Sequence, residues 1–233
     1  PQPFEGRGSL WSLRGPGREF GLPVQERLCI ERTWFKRFPS DAQSQGFLVL
    51  LPEMRAWTRI DEIASIQYDM THNNWQEVGG NAKWDPRNPE TADHSAPYLL
   101  ARGLIDGDIY VDSFVPEKYP FRDPIVKALM DKISCAPVDG WGGLGTARIT
   151  IRKHSGEQRS WDTWGGARNP TLEDYPRPTN AGIRAKFERA CAFRSVSDAQ
   201  RDRAWAAWSN LRAINDVGEA MQTLATFGRP QPL

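Results

Sequence analysis

Two short segments of the sequence carry side chains that could bind or protonate a small anionic molecule. In the first segment, the cations Lys36 and Arg37 precede a predicted helix start at Ser40 or Asp41. Cationic side chains beside a helix N-terminus suit a ligand with several carboxylates. From residue chemistry alone, an exposed basic turn is nevertheless the simpler interpretation of this segment.

The second segment is the adjacent pair Asp93 and His94, at the start of a helix predicted over residues 93–106. A carboxylate beside an imidazole could perform acid–base chemistry or hold a substrate, and the amides of a helix start favour anions. Capping of the helix by Asp93 is the simpler interpretation of the residues by themselves. Of the other histidines, His154 is interpreted as a solvated turn residue, and His72 could be either functional or structural.

The histidines and cysteines do not have the spacing of metal ligands. No two of the three histidines are four residues apart, and the three cysteines contain no C-x-x-C pair. The sequence therefore predicts no metal site. We interpret Cys29, Cys135 and Cys191 as small buried side chains of a protein in a reducing compartment.

A glycine-rich segment, GWGGLG at residues 140–145, matches the letters of a dinucleotide-binding motif. That chemistry needs a strand before the glycines and a helix after them, so that helix amides face a pyrophosphate. Here a β-type segment that begins at Ala147 follows instead. We therefore predict that this segment holds no nucleotide cofactor.

Composition limits the possible partners. The 233 residues contain 30 Lys+Arg and 29 Asp+Glu, so the net charge is +1. This balance lacks the positive excess of a surface that binds nucleic acid or an anionic membrane. No apolar run reaches the roughly 18 residues of a membrane span. We expect a globular cytoplasmic protein that binds neither nucleic acid nor membrane.

The elements that must position these side chains predict an α+β fold. Alternating apolar residues predict β-structure in two places: residues 29–35 and a hairpin over residues 147–161. Periodicity and capping residues predict helices over residues 40–51 (ended or kinked by Pro52), 93–106 (closed by Gly107), 123–133, 180–193, 198–212 and 214–227. Residues 1–28 and the polar stretch 72–89 are predicted to be loops.

One stretch of the chain carries a family signature. It consists of KWDP (83–86) and ETADHSAPY (90–98), followed by an apolar helix that ends at Gly107. In this stretch the sequence resembles the MmgE/PrpD family, which contains 2-methylcitrate dehydratase, cis-aconitate decarboxylase and related epimerases. Further matching segments are PFEG (3–6), FKRFP (35–39) with Gln45, DP (123–124) with LMDKI (129–133), ARNP (167–170) with KF (186–187), and LATFG (224–228).

The resemblance implies how the chain is organised. Family members have an all-helical domain built from both chain ends, an α+β lid domain inserted between them, and an active site in the cleft. Residues 1–28 would be the linker that leaves the helical domain, residues 29–172 the lid domain, and residues 173–233 the C-terminal helices of the helical domain. Within the lid, the family pattern implies a strand over residues 60–68, although Ile60, Ile63 and Ile66 are three residues apart. The resemblance covers only the C-terminal half of a family member, and the first residue is Pro1 rather than Met. We therefore expect a longer protein or a partner that supplies the N-terminal half.

The resemblance also implies a lyase that acts on a small di- or tricarboxylate by acid–base chemistry, without metal or organic cofactor. Lys36 corresponds to the lysine of the family's K-x-Y/F-P segment, and Asp93 and His94 belong to its D-H-S signature. His94 and Lys36 are the expected catalytic residues. The expected substrate-binding residues are Lys36, Arg37, Gln43, Asp93 and Arg168.

Gln43 leaves the reaction open. Many dehydratase-like members carry a histidine after the K-x-Y/F-P segment, where this chain has Gln43. Glutamine can bind a carboxylate but cannot transfer a proton near neutral pH. Dehydration of a 2-methylcitrate-like substrate is the leading hypothesis, with decarboxylation or epimerisation of a related carboxylate as the alternative.

A non-catalytic role is the third hypothesis. The last predicted helices carry an apolar face with little helical domain to cover it, formed by Trp205, Trp208, Leu211, Ile214, Val217 and Leu224. Because such a face favours association, we expect the chain to form a homodimer or to bind an N-terminal-half partner.

Overall fold

A four-stranded mixed sheet lies within the part of the chain that the structure describes. The structure is a computed structural model that describes residues 35–117, 120–171, 174–175, 177–225 and 227. The strands are β1 (Ile63–Met70), β2 (Ile133–Pro137), β3 (Ala147–Lys153) and β4 (Gln158–Asp162), in the order β2-β1-β3-β4. β1 and β2 are parallel, whereas β3 is antiparallel to both β1 and β4. This sheet and the helices below confirm the predicted α+β fold.

Alternating apolar residues explain why β1 and β3 lie in the middle of the sheet. Every second residue is buried from residue 66 to 70 in β1 and from residue 147 to 151 in β3. The register places these residues opposite one another, for example Tyr68 opposite Ile149. Because side chains alternate between the faces of a sheet, both strands bury the same face. The ring of Phe47 packs edge-on against Tyr68 there, with 5.2 Å between centroids.

Nine α-helices occur in the described part of the chain. They are α1 (Gln45–Leu48), α2 (Leu51–Trp57), α3 (His72–Asn74), α4 (Pro89–Asp93), α5 (Ala96–Asp106), α6 (Pro124–Met130), α7 (Asn180–Phe193), α8 (Asp198–Ser209) and α9 (Val217–Gln222). Shorter 3-10 or π turns cover Ala42–Ser44, Ile60–Glu62, Trp75–Gly79, Asn81–Lys83, Val111–Phe114, Thr163–Gly166 and Leu211–Ala213. α5 is buried from Ala96 to Leu104 and forms part of the same core as the sheet.

The end of α5, the hairpin and β1 confirm predictions from the sequence. Gly107 ends α5 with φ of +90°, a conformation that glycine adopts without strain. β3 and β4 form the predicted hairpin. The strand predicted over residues 60–68 is β1, which begins at Ile63 because residues 60–62 form a 3-10 turn.

The predicted helix cap at Asp93 is wrong. Asp93 is the last residue of α4, which Asn88 caps. Ser95 caps α5, since its Oγ accepts a hydrogen bond from the amide of Tyr98 at 3.2 Å. Each cap is followed by a proline in the first helical turn, where proline is well tolerated, so the segment forms two helices instead of one. His94 therefore lies in the link between two helices.

Three other features of the fold differ from the predictions. The helix predicted over residues 123–133 ends at Met130, and Ile133 begins β2 because it pairs with β1. Pro52 ends no helix: it lies in the first turn of α2, where a missing N–H is tolerated. The stretch 72–89 is not a loop but consists largely of short helical turns.

The C-terminal helices meet through aromatic side chains. Phe187 of α7 lies 5.7 Å from Trp205 of α8, measured between ring centroids. The indole of Trp208 in α8 donates a hydrogen bond to the carbonyl of Ala220 in α9 at 3.1 Å. The tail therefore has a small apolar cluster of its own.

Three helices are found where the tail was predicted to be helical, and α7 has the predicted bounds. α8 ends three residues before the predicted residue 212, and α9 covers only Val217–Gln222 of the predicted 214–227. Ser197 caps α8, and Asp216 caps α9.

Some predictions fall on residues outside the described ranges. These are the loop over residues 1–28, the strand over residues 29–35 except for Phe35, and the burial of Cys29.

Cys135 and Cys191 are free thiols. Burial raises the pKa of Cys135 to about 12, so this thiol is protonated at neutral pH. No described helix is long and apolar enough to cross a membrane.

Candidate active site

His94 lies between two carboxylates from different segments of the chain. Its Nδ1 is 2.5 Å from Oδ1 of Asp93 and 3.0 Å from the carbonyl oxygen of Glu90. Its Nε2 is 3.4 Å from Oδ2 of Asp41. The side chain of His94 is 39% exposed, whereas that of Asp41 is 14% exposed. The imidazole is therefore held on both edges and is still accessible to a ligand.

Backbone contacts hold Asp41 next to the link that carries His94. The amide of Asp41 donates a hydrogen bond to the carbonyl of Asp93 at 3.1 Å. Oδ1 of Asp41 caps the turn Ala42–Ser44 by accepting from the amide of Gln43 at 2.7 Å. One carboxylate oxygen thus stabilises the turn, while the other faces the imidazole.

The partners of the imidazole determine which nitrogen carries the first proton. Both atoms next to Nδ1 are hydrogen-bond acceptors, so Nδ1 must be the donor, and Nε2 is the nitrogen that gains and loses the second proton. Burial lowers the pKa of His94. The hydrogen bonds to Asp93 and Glu90 and the charges of Asp93 and Asp41 together outweigh burial, so the pKa is raised above 6.5.

Replacing Asp93 with asparagine is expected to lower the pKa of His94, because the change removes a charge that favours imidazolium. The Cε1 proton of His94, followed by NMR across a pH titration, measures this shift. Because the pKa of His94 is higher in the folded protein than in the unfolded chain, protonation of His94 stabilises the fold. This stabilisation is complete below pH 6.5, the pKa in the unfolded chain, and is lost as the pH rises through the pKa in the folded protein. Thermal stability should therefore fall over that pH range, and less so in Asp93→Asn.

Asp139→Asn is the matched control for this titration. Asp139 contacts a different histidine, His72, at 2.7 Å, and does not touch His94. Its replacement should leave the pKa of His94 unchanged. Equal values in the wild type and in Asp93→Asn would contradict the assignment of Asp93 as the group that charges the imidazole.

Gln45 holds the turn that precedes Asp41. Its Oε1 accepts hydrogen bonds from the amides of Arg37 at 2.8 Å and Phe38 at 3.0 Å. Its Nε2 donates to the carbonyl of Phe38 and to Oγ of Ser40, both at 3.0 Å. The side chain is buried. One buried amide therefore fixes the backbone between residues 37 and 40.

Lys36 and Arg37 extend from this turn into solvent. Both residues are exposed, and the guanidinium of Arg37 lies 5.5 Å from the ring centroid of Phe38. Within the described part of the chain, neither forms a salt bridge. The carbonyl of Lys36 accepts a hydrogen bond from Nζ of Lys186 in α7. The turn therefore presents positive charge that an anionic ligand could neutralise.

Most of the chain matches one family of proteins. The sequence model of the MmgE/PrpD C-terminal domain matches residues 38–210, a span that contains Asp41, Gln45 and His94. The chain belongs to the MmgE/PrpD family. The resemblance inferred from the signature around His94 is thereby confirmed, and Lys36 and Arg37 lie immediately before the matched span.

Gln43 joins the hydrogen-bonded group of this MmgE/PrpD chain through Asp41. With its nitrogen turned towards the carboxylate, the side-chain amide of Gln43 donates to Asp41. The structure thus brings together three of the predicted site residues, Gln43, Asp93 and His94, and Gln45 connects the turn of Lys36 and Arg37 to them.

Arg168 is not part of this group. Its Nη2 is 2.5 Å from Oδ1 of Asp162, and its guanidinium lies 4.1 Å from the ring centroid of Trp141. Asp162 also accepts from Nε of Arg148 at 2.9 Å. No described contact joins Arg168 to His94. Its role in substrate binding stays a prediction.

The glycine-rich segment packs against α1, the helix that follows the turn Ala42–Ser44. A Cβ on Gly46 of α1 would lie 2.6 Å from the carbonyl oxygen of Gly145, so the two backbones are in close contact. The segment after the glycines is β3, as predicted, and it supplies no helix N-terminus for a pyrophosphate. No cluster of three or more His, Cys, Asp or Glu side chains that could hold a metal occurs among the described residues.

Sequence reasoning alone does not assign Asp41 or Lys186 to the site. Asp41 is predicted only as a helix cap, because nothing local indicates that it meets residues 93–94. Both residues nevertheless lie inside segments on which the family resemblance depends: Asp41 between Pro39 and Gln45, and Lys186 in the KF pair. That position is the one signal that could have drawn attention to them.

Proposed function

We propose that this chain supplies the lid domain and C-terminal helices of an MmgE/PrpD-type lyase that acts on a small di- or tricarboxylate. The observation that carries the proposal is the imidazole of His94 held between Asp93 and Asp41, in a segment joined to the cationic turn of Lys36 and Arg37. The reaction we favour is dehydration of a 2-methylcitrate-like substrate in the cytoplasm, without metal or organic cofactor.

Loss of water from such a substrate needs a base and an acid. The base removes the proton α to a carboxylate, the C–H electron pair becomes the new double bond, and the C–O bond breaks as the acid protonates the departing hydroxyl. The raised pKa of His94 favours imidazolium, so we assign His94 as the acid, with Nε2 as the donor atom. Asp41, beside Nε2, stabilises the charged ring. We assign the base to the N-terminal half of the enzyme.

The substrate's carboxylates need cationic partners. Lys36, with Arg37 beside it, would hold one carboxylate and stabilise the negative charge that builds on it when the α-proton leaves. Gln43 and Asp93 shape the site around His94. Arg168 is a further candidate for a second carboxylate, because its guanidinium carries the positive charge that such a group needs.

The organisation of the whole enzyme is part of the proposal. Residues 29–172 would form the lid, and residues 173–233 would pack into an all-helical domain completed by the N-terminal half, as a separate chain or as part of the same one. Exposed apolar side chains on the tail support this, since Trp208, Val217 and Met221 are all exposed. Self-association as a homodimer would cover the same surface. A monodisperse monomer of this chain in light scattering would contradict the homodimer.

Turnover of 2-methylcitrate tests the proposal. The chain is combined with the N-terminal half of the enzyme, and loss of water is followed by NMR. Lys36→Ala should lower kcat/KM by about 10²-fold or more, since it removes the charge that stabilises the transition state. Lys127→Ala is the control, because Lys127 pairs with Asp131 on the surface of α6. Equal turnover in the wild type and in Lys36→Ala would overturn the assignment.

A second reaction on the same scaffold is favoured by Gln43. A glutamine that donates to Asp41 cannot act as an acid or base, so one proton-transfer step of dehydration could lack its group. We propose decarboxylation or epimerisation of a related carboxylate as the alternative. Product analysis in deuterated water separates the three reactions: epimerisation exchanges the α-proton and retains every carbon, decarboxylation releases carbon dioxide, and dehydration yields an alkene.

A further inference from the structure

The cationic turn is in contact with a helix that is distant in the sequence. Lys186, near the middle of α7, reaches the turn and donates from Nζ to the carbonyl oxygen of Lys36. The contact brings an ammonium group to the backbone of the turn whose residues Lys36 and Arg37 are exposed. Three cationic residues from two segments are therefore neighbours, joined through the backbone of Lys36.

The arginines of α7 near Lys186 form salt bridges, whereas Lys186 forms none with a described residue. Arg184 binds Glu188 and Asp202, each at 2.6 Å. Arg189 binds Asp108 at 2.6 Å. In contrast, no salt bridge to Lys186 occurs within the described ranges. The described carboxylates near this helix therefore pair with arginines on either side of Lys186, and none of them neutralises Lys186.

We propose that Lys186 is a third carboxylate-binding residue, which α7 contributes to the site formed by Lys36 and Arg37. This inference rests on the proposed function and specifies its substrate class further, as a molecule with at least two carboxylates. An ammonium has three donor hydrogens, and the carbonyl of Lys36 uses one, so two are left for substrate oxygens.

A purely structural role would make Lys186 a positioning residue that only fastens the turn. Two substitutions separate the roles. Lys186→Gln keeps an N–H that can donate to the carbonyl of Lys36 but loses the charge. Lys186→Arg keeps the charge and the donor. The control is Lys132→Gln, because Lys132 also donates from Nζ to a distant backbone carbonyl, that of Ile63, and is not part of the cationic turn.

Citrate binding tests the proposal on the 233-residue chain. Chemical shifts of the backbone amides of residues 36–38 are followed by NMR while citrate is added to millimolar concentration at neutral pH. Lys186→Gln should weaken the apparent affinity about 10-fold, the loss of one charge-assisted contact. Lys186→Arg should bind within about 3-fold of the wild type, and Lys132→Gln should bind as the wild type does.

The outcomes distinguish this inference from the proposed function. If Lys36→Met loses citrate binding and Lys186→Gln keeps it, then Lys186 is a positioning residue or has no role, and the inference is overturned while the proposed function stands. Absence of citrate binding in the wild-type chain would also overturn the inference. The proposed function would then still be decided separately, by turnover of 2-methylcitrate in the assembled enzyme.

Discussion

Replacement of Gln45 with leucine is expected to lower the free energy of unfolding by about 2–4 kcal/mol, because each buried polar group left without a partner costs about 1–3 kcal/mol. The leucine side chain can neither accept from the amides of Arg37 and Phe38 nor donate to Ser40. These groups are screened from water, since Gln45, Phe38 and Ser40 are buried. Urea or thermal unfolding of the two proteins measures the difference.

Gln43→Leu is the matched control, with the same substitution two residues away. Gln43 is only half-buried, and its contact with Asp41 lies nearer to solvent. We expect it to cost less than about 1 kcal/mol, the usual net value of one hydrogen bond. Similar losses in the two variants would show that the hydrogen bonds of Gln45 do not hold the turn. Gln45→Glu adds a second comparison, because it keeps the acceptor and loses the donor.

Replacement of His94 with glutamine is expected to lower kcat of the assembled enzyme by about 10²–10⁴-fold, the usual contribution of a general acid. Glutamine can occupy the space between Asp93 and Asp41 but cannot deliver a proton. The variant should retain the citrate affinity of the wild type, since the cations that bind carboxylates are unchanged. Steady-state kinetics should therefore show the loss in kcat, with little change in KM.

His72→Gln is the control for this measurement. His72 also pairs with a carboxylate, that of Asp139, but it lies outside the hydrogen-bonded group of His94 and Asp41. Its replacement should leave kcat unchanged. If His94→Gln turns over substrate at the wild-type rate, His94 is not the acid. The pH profile gives an independent criterion, because the limb that reports the acid should disappear in His94→Gln and persist in His72→Gln.

The local features of this fold could be predicted from the sequence. Alternating apolar residues indicated the hairpin, and Gly107 indicated the end of α5, because strand alternation and left-handed glycine ends depend on neighbouring residues. β1 was expected from the family resemblance, since Ile60, Ile63 and Ile66 are spaced by three. The segment that contains Asp93 and His94 could be recognised from the residues around it, and the family match confirms that recognition. The error at Asp93 was also local. Two capping residues, Asn88 and Ser95, lie close together in the sequence, and each of them caps a helix.

By itself, then, the sequence determined the α+β class, the family and the identity of the imidazole and cations that we assign to the chemistry. Only the tertiary structure decided that Asp41 meets His94 and that Lys186 meets Lys36. Such contacts join segments that are far apart in the chain, and they follow from how α4, α7 and the turn after Phe35 pack together. Side-chain propensity and periodicity describe neighbours along the chain. They contain no information about which distant carboxylate will lie beside an imidazole and raise its pKa.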